Sequence, residues 1–484
     1  MPRCPETAIC QSGAGATKSS GCPLDQAQRQ RRLVDVVVVC SWYFHSAALE
    51  QLQSSTAARA LMGQSGVLVD IRRYRLRRSA ANRSAAGCPA GVGRSPAMKP
   101  LSKIAKVEMK ILIIFGTRPE AIKMAPVVHI LNDAPDCDVR LCVTAQHRQM
   151  LDQVLDLFAL QPDHDLDIMQ PGQDLTDITS NILLGLRDLL RRERYDLLLV
   201  HGDTTTTMAG ALAAFYEKVP VGHVEAGLRT GDIHAPWPEE MNRRLVGRIA
   251  ALHFAPTARA RDALIREGVA DQDIYITGNT VIDALQTVSH KLKADTNLQR
   301  HFEQQFDCLD ARKKLILVTS HRRENLGDGL ERICRALRYL SQRADLQIVY
   351  PVHLNPAVRD PVHRILEGVP DVLLIDPQEY LPFVYLMSKA YLIITDSGGV
   401  QEEAPALGTP VLVMRERTER PEAIAAGTAR LVGTEEDSII VGTERLLDDE
   451  DAYQSMTHAH NPYGDGRAAR RILDAIRRFR CPGQ

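Results

Sequence analysis

From Met109 onward the chain repeats one grammar, a short and nearly continuous apolar run followed by a stretch whose apolar residues recur at helical spacing. The first series reads K-I-L-I-I-F at 110–115, a helix at about 120–132, V-R-L-C-V-T at 139–144, helices from about 148 and over about 176–193, and D-L-L-L-V-H at 196–201. It continues with an amphipathic helix at 206–218 and P-V-G-H-V-E at 220–225. A second series begins after about residue 310 with K-L-I-L-V-T-S at 314–320, L-Q-I-V-Y-P-V at 346–352, V-L-L-I-D at 372–376, Y-L-I-I-T-D at 391–396 and P-V-L-V-M at 410–414. Runs this apolar read as strands buried on both faces, which means parallel sheets covered by helices. Two series of similar size predict an α/β fold of two Rossmann-like domains facing each other across a cleft, over 109–280 and 281–465. An amphipathic helix within 466–484 is expected to return and complete the first domain.

Residues 1–108 break the pattern. G-A-G-A at 13–16, R-R-Y-R-L-R-R at 72–78 and S-A-A-N-R-S-A-A-G at 79–87 hold no sustained period, so this arm is expected to be a disordered extension. It carries 16 Lys/Arg against 6 Asp/Glu, leaving 43 against 54 for residues 109–484, and the mildly acidic body argues against nucleic acid as its partner. A translation start at Met109 is the favoured reading of the arm; a transit peptide, also rich in Arg, Ser and Ala, is the competing one. The ten cysteines divide evenly between arm and body without a C-x-x-C pair, which predicts free thiols in a reducing cytosol and no metal site. The apolar run V-D-V-V-V-V-C-S-W-Y-F at 34–44 is too short to span a bilayer and contains Asp35, so no membrane span is expected.

Ligands of open parallel sheets bind beyond the carboxyl ends of the strands. That rule selects Arg118, Asp203, Glu225, His321, His353, Gln378 and Ser397. F-G-T-R-P-E-A-I-K-M-A-P at 115–126 joins the first strand to a helix through a glycine turn carrying Arg118 and, a turn later, Lys123, an arrangement suited to an anion. D-S-G-G-V-Q-E-E-A-P at 396–405 has the same form: its free N–H groups suit a phosphate and Glu402 or Glu403 a ribose, while a plain βα connection accounts for it equally. S-H-R-R-E-N at 320–325 and R-E-R-T-E-R-P-E-A at 415–423 add His321, Arg322 and Arg420, the last expected to be extended before Pro421, and guanidinium forks match a diphosphate. The acids are Asp203 of H-G-D-T-T-T-T, Glu225 of H-V-E-A-G, and Glu239 or Glu240 of W-P-E-E-M-N-R-R. Taken singly, Asp203 reads as the cap of a helix beginning at Thr204, and Glu239 or Glu240 as partners of Arg243 or Arg244. Three acids opposite an anion clamp favour general acid/base chemistry.

These motifs, with I-T-G-N-T-V-I-D-A-L, P-V-H-L-N-P, D-P-Q-E-Y-L-P-F and R-L-V-G-T in the same order, resemble the bacterial non-hydrolysing UDP-N-acetylglucosamine 2-epimerases over nearly all of 109–484. The resemblance implies a fold of the glycosyltransferase-B type that interconverts UDP-N-acetylglucosamine (UDP-GlcNAc) and UDP-N-acetylmannosamine (UDP-ManNAc) with no cofactor, and no G-x-G-x-x-G follows the first strand. It places UDP on Arg118, Lys123, His321, Gln378, Phe383, Ser397, Gly398, Gly399, Glu403 and Arg420. Catalysis falls to Asp203, Glu225 and Glu239, the first two also touching substrate, with His321 facing the diphosphate. It further implies a second, regulatory UDP-GlcNAc on Gln146, His147, Gln149, Arg322 and His353, a homodimer, and a cytoplasmic enzyme feeding surface polysaccharide synthesis. A hydrolysing epimerase, a glycosyltransferase of the same fold and a non-catalytic UDP-sugar-binding regulator are the alternatives.

Overall fold

Two parallel sheets carry the chain. The computed structural model describes residues 108–145 and 148–480, which fall in one compact unit, so the arm at 1–107 and its expected disorder lie outside the described residues. The first sheet has β1 (Met109–Phe115), β2 (Cys137–Val143), β3 (His164–Asp165), β4 (Leu197–His201), β5 (Val221–Val224), β6 (Leu252–Ala255) and β7 (Ile274–Ile276), in the order β3-β2-β1-β4-β5-β6-β7. The second has β8 (Lys314–Thr319), β9 (Leu346–Pro351), β10 (Val372–Ile375), β11 (Leu392–Thr395), β12 (Val411–Val413) and β13 (Ala429–Leu431), in the order β10-β9-β8-β11-β12-β13. The α/β architecture of two Rossmann-like sheets is therefore the one the apolar runs predict.

Side-chain alternation along the strands explains how the layers close. Leu112 and Ile114 of β1 enter a core with the helices Leu175–Arg192 and Thr205–Tyr216, while Ile111, Ile113 and Phe115 enter the core on the opposite face. In β8, Ile316 and Val318 pack under the helix Asp328–Leu340, and Leu315 and Leu317 turn the other way. The inward residues of both sheets belong to one continuous apolar cluster, joined by the helices Thr280–Ala294 and Tyr380–Lys389. Each aliphatic side chain buried there contributes about 1.5–3 kcal/mol, so the two sheets are strongly tied at this seam.

The last helix, Ala468–Arg480, lies against the helix Arg118–Asn132 of the first sheet's layer and against Thr280–Ala294. Asp283 accepts the N–H groups of Ala468 and Ala469 at 3.1 and 3.0 Å, and Arg477 pairs with Asp136 at 2.7 Å. Those bonds fix both ends of a helix whose apolar stripe is buried. Among the described residues no helix is long and apolar enough to cross a membrane.

Candidate active site

In each sheet the winding reverses once, between β1 and β4 and between β8 and β11. Such a reversal opens a crevice at the carboxyl ends of the two central strands. A buried carboxylate ties the loops at each crevice. Glu120 accepts the N–H groups of Gly116 and Thr117 at 3.1 and 2.8 Å and the hydroxyls of Thr204 and Thr207 at 2.6 and 3.1 Å, linking the turn after β1 to the helix after β4. Burial pushes its pKa up, and hydrogen bonds from the Thr204 and Thr117 hydroxyls and the Gly116 and Thr117 N–H groups only partly offset that. Gly116 is required in this knot, since a Cβ there would lie 2.1 Å from Thr144 Oγ1 and 2.5 Å from Thr206 Oγ1. In the second sheet, Asp396 accepts from the Ser320 hydroxyl at 2.9 Å, the N–H groups of His321 and Arg322 at 2.9 Å each, and Asn325 Nδ2 at 3.1 Å. It thereby shapes the whole 320–325 turn.

The two crevices share one cleft of about 410 Å³. From the first sheet its wall takes Arg118 and Lys123, and from the second His321, Gln378, Phe383, Ser397, Gly399, Glu403 and Arg420. Gly398 sits beside it, its Cβ direction pointing to within 3.5 Å of the Arg322 guanidinium and 4.0 Å of that of Arg420. His353 also lines the cleft, with its ring stacked on His321 at 5.9 Å. Burial lowers the pKa of His321, and Asp396, 3.4 Å from Nδ1, opposes that shift. The adjacent glutamates separate: Glu403 faces the cleft and takes the Tyr380 hydroxyl at 2.7 Å, while Glu402 turns away and is wholly buried. Burial and the neighbouring Glu402 push Glu403 up to about 7.

Directly behind Lys123 lies a closed network of charge. Lys123 pairs with Glu225 and stands 3.9 Å from Glu402, Arg420 pairs with Glu402, and Asn279 donates to both carboxylates at 2.8 and 3.1 Å. Burial alone would raise Glu225, but Lys123, His201 and Arg420 outweigh it and hold the carboxyl far below the usual range. Burial would likewise discharge Lys123, yet Glu225 and Glu402 keep its pKa above the ordinary value. His201, 3.8 Å from Glu225, is depressed by burial to about 4 and is neutral at physiological pH. Glu225 itself has φ of 63°, a left-handed conformation that costs about 1 kcal/mol and is held by these bonds.

The three acids do not form the wall of the cleft. Glu225 is screened by Lys123, Asp203 is turned onto Arg243 at 2.7 Å, and Glu239 Oε2 is buried with no hydrogen-bond partner among the described residues. The reading of Asp203 as a helix cap is corrected: Thr204 is the cap, accepting the Thr207 N–H at 3.1 Å, and the guanidinium takes the aspartate. Of the two glutamates at 239–240, Glu240 pairs with Arg243 and Arg244, at 3.1 and 3.3 Å. Arg420 adopts φ −118° and ψ 54°, short of the extended geometry expected before Pro421, with its N–H on Thr418 Oγ1 at 3.0 Å. Arg322 pairs with Glu419 at 3.2 Å and lines a separate cavity. Gln146 and His147 lie outside the described residues, and Gln149 is in the helix Arg148–Leu157. Asn279, Tyr380, Glu120 and Asp396 are site residues that sequence reasoning did not single out, and Arg243, expected to pair with Glu239 or Glu240, takes Asp203 as well as Glu240.

Residues 129–477 match the family model described as UDP-N-acetylglucosamine 2-epimerase. A UDP-N-acetylglucosamine 2-epimerase of Escherichia coli (strain K12) is 60% identical over 373 residues, covering 77% of this chain and 99% of that protein. The crystal structure of UDP-GlcNAc 2-epimerase from Neisseria meningitidis bound to UDP-GlcNAc superposes with a TM-score of 0.72 at 51% identity, over 76% of this chain and all of that one. The Methanocaldococcus jannaschii UDP-GlcNAc 2-epimerase in complex with UDP-GlcNAc and UDP gives 0.65 at 32% identity, over 76% of this chain and 99% of that one. With its fold, its cleft and this extent of identity, the chain belongs to the UDP-N-acetylglucosamine 2-epimerase family.

Proposed function

We propose that this protein interconverts UDP-GlcNAc and UDP-ManNAc without net hydrolysis, by eliminating UDP across C1 and C2 and adding it back to a 2-acetamidoglucal intermediate. No carbonyl adjoins C2 of the sugar, so its hydrogen is weakly acidic and simple deprotonation and reprotonation would be slow. Elimination avoids the bare carbanion: a carboxylate takes the C2 proton, the C1–O bond breaks with its electron pair leaving on the diphosphate, and a C1=C2 double bond forms. Addition of a proton to the other face of C2 and of UDP to C1 completes the inversion.

This scheme needs acid/base groups near C2 and cations on the departing diphosphate. The observation that carries it is that Lys123 and Arg420 both line the cleft while each holds a buried carboxylate, Glu225 and Glu402, so cations and acids form one connected set. Asp203, Glu225 and Glu239 exchange the proton. Arg118, His321 and Arg420 stabilise departing UDP, a role in which losing one aligned donor costs about 100- to 1,000-fold in rate. Lys123, Gln378, Phe383, Ser397, Gly398, Gly399 and Glu403 hold the nucleotide, with Glu403 on the ribose hydroxyls. His353 beside His321 supports a second, regulatory UDP-GlcNAc next to the first, shared with Gln146, His147, Gln149 and Arg322. A cytoplasmic homodimer supplying UDP-ManNAc for surface polysaccharide completes the reading.

The test is product identity with UDP-GlcNAc as sole substrate, followed by chromatography and NMR. UDP-ManNAc approaching a fixed ratio with UDP-GlcNAc, and no build-up of free UDP, is the expected result. Stoichiometric release of UDP and N-acetylmannosamine would contradict it and favour a hydrolysing epimerase.

A further inference from the structure

Asn279 follows β7 and caps the helix Thr280–Ala294, the helix whose apolar side chains pack into the cluster shared by both sheets. It is 2% exposed and does not line the cleft. Every polar function it owns is engaged. Its N–H donates to the Tyr463 carbonyl at 2.7 Å, its C=O accepts from the Ile282 N–H at 3.2 Å, and Oδ1 accepts the Val281 N–H at 3.1 Å. The two hydrogens on Nδ2 go to Glu225 at 2.8 Å and Glu402 at 3.1 Å. One of those carboxylates follows β5 of the first sheet, and the other belongs to the helix Gly398–Glu403 after β11 of the second.

Resting on the epimerase reading above, we propose that Asn279 is a positioning residue that holds Glu225 in register with the nucleotide clamp, by bridging it to Glu402 with one amide. The surrounding charges explain why an amide is needed. Glu225 faces Lys123 and His201, Glu402 faces Lys123 and Arg420 with the like-charged Glu403 beside it, and the buried Tyr463 ring lies near Glu402 and Arg420. Two cations already balance two carboxylates, so a further cation would leave excess positive charge and a further carboxylate would repel both acids. The amide supplies two donors and no charge.

Asn279→Asp tests this with nearly unchanged shape. It keeps the cap on Val281 and both backbone bonds but turns an oxygen toward two carboxylates. At about pH 8 its kcat is expected to fall about 10- to 100-fold, the scale of a small misplacement of a reacting group, with KM for UDP-GlcNAc unchanged. Relative to the unsubstituted protein, the deficit should shrink from about pH 8 to about pH 5.5 as the three-carboxylate cluster takes up a proton and regains a donor. Asn279→Ser guards against misfolding, since serine keeps the cap but is too short to bridge both acids. It should melt within a few degrees of the parent and show a lower kcat, unchanged KM and a pH-independent deficit. Parental kcat in the serine variant, or a deficit in the aspartate variant that is equal at all pH values, would overturn the proposal. An unsubstituted protein that makes no UDP-ManNAc would instead sink the epimerase reading itself.

Discussion

Glu225, behind Lys123 on the side of the first sheet, and Glu403, in the cleft wall on the side of the second, are driven in opposite directions by their surroundings. Glu225 is met by Lys123 and two Asn279- and His201-bearing walls, and the nearby cations hold it ionised. Glu403 has a phenol and the like charge of Glu402 for company, and burial takes it up to about 7. One residue type thus serves the first sheet as a base kept ionised in the resting site and the second as a group that gains and loses its proton near neutrality. Identity of the side chain does not set the role; the sign of what has been buried beside it does.

The comparison breaks most visibly if the acids are neutralised. Glu225→Gln and Asp203→Asn should each lower kcat by about 100- to 10,000-fold in initial-rate assays, the range for a lost acid/base group. Because Thr204 is the cap, Asp203→Asn should leave the melting temperature nearly unchanged, and normal turnover in that variant would remove Asp203 from the chemistry. Next, Lys123→Met should convert Glu225 into a second Glu403. Leaving that carboxylate buried and unpaired costs about 3 kcal/mol at about pH 8, and the loss should diminish toward pH 5, where the raised carboxyl takes a proton; denaturant titrations at both pH values check this.

Glu403→Gln probes the other side. Glu403 binds its proton more tightly when folded, so its contribution to stability falls as pH rises from about 4.5 through about 7. The glutamine variant should therefore match the parent below that window and exceed it by about 1–3 kcal/mol above it, read from melting temperature against pH. Last is Thr204→Ala, which removes both the cap on Thr207 and a donor to the buried Glu120 and should cost about 1–2 kcal/mol.

How far the chain could be read follows from the range of each interaction. K-I-L-I-I-F announces β1, and the strand-end rule picks out Arg118, His321, Gln378 and Ser397, all in the cleft wall, because a strand and the turn after it are local. β3, β6, β7 and β13 have two to four residues each and leave no periodicity to detect. Asp203 reads as the cap from its position alone, and Thr204 takes that place because Arg243, forty residues away in the chain, draws off the aspartate. E-E at 402–403 is likewise ambiguous until packing turns one toward Arg420 and the other toward Tyr380. Asn279 signals no more than a helix start; its bonds reach 54 and 123 residues along the chain and exist only once both sheets are in place.

The most direct test of elimination and re-addition is the fate of the C2 hydrogen. With UDP-GlcNAc in heavy water, UDP-ManNAc and recovered UDP-GlcNAc should both carry deuterium at C2 by NMR and mass spectrometry. UDP-ManNAc that retains the original hydrogen at C2 would contradict the account.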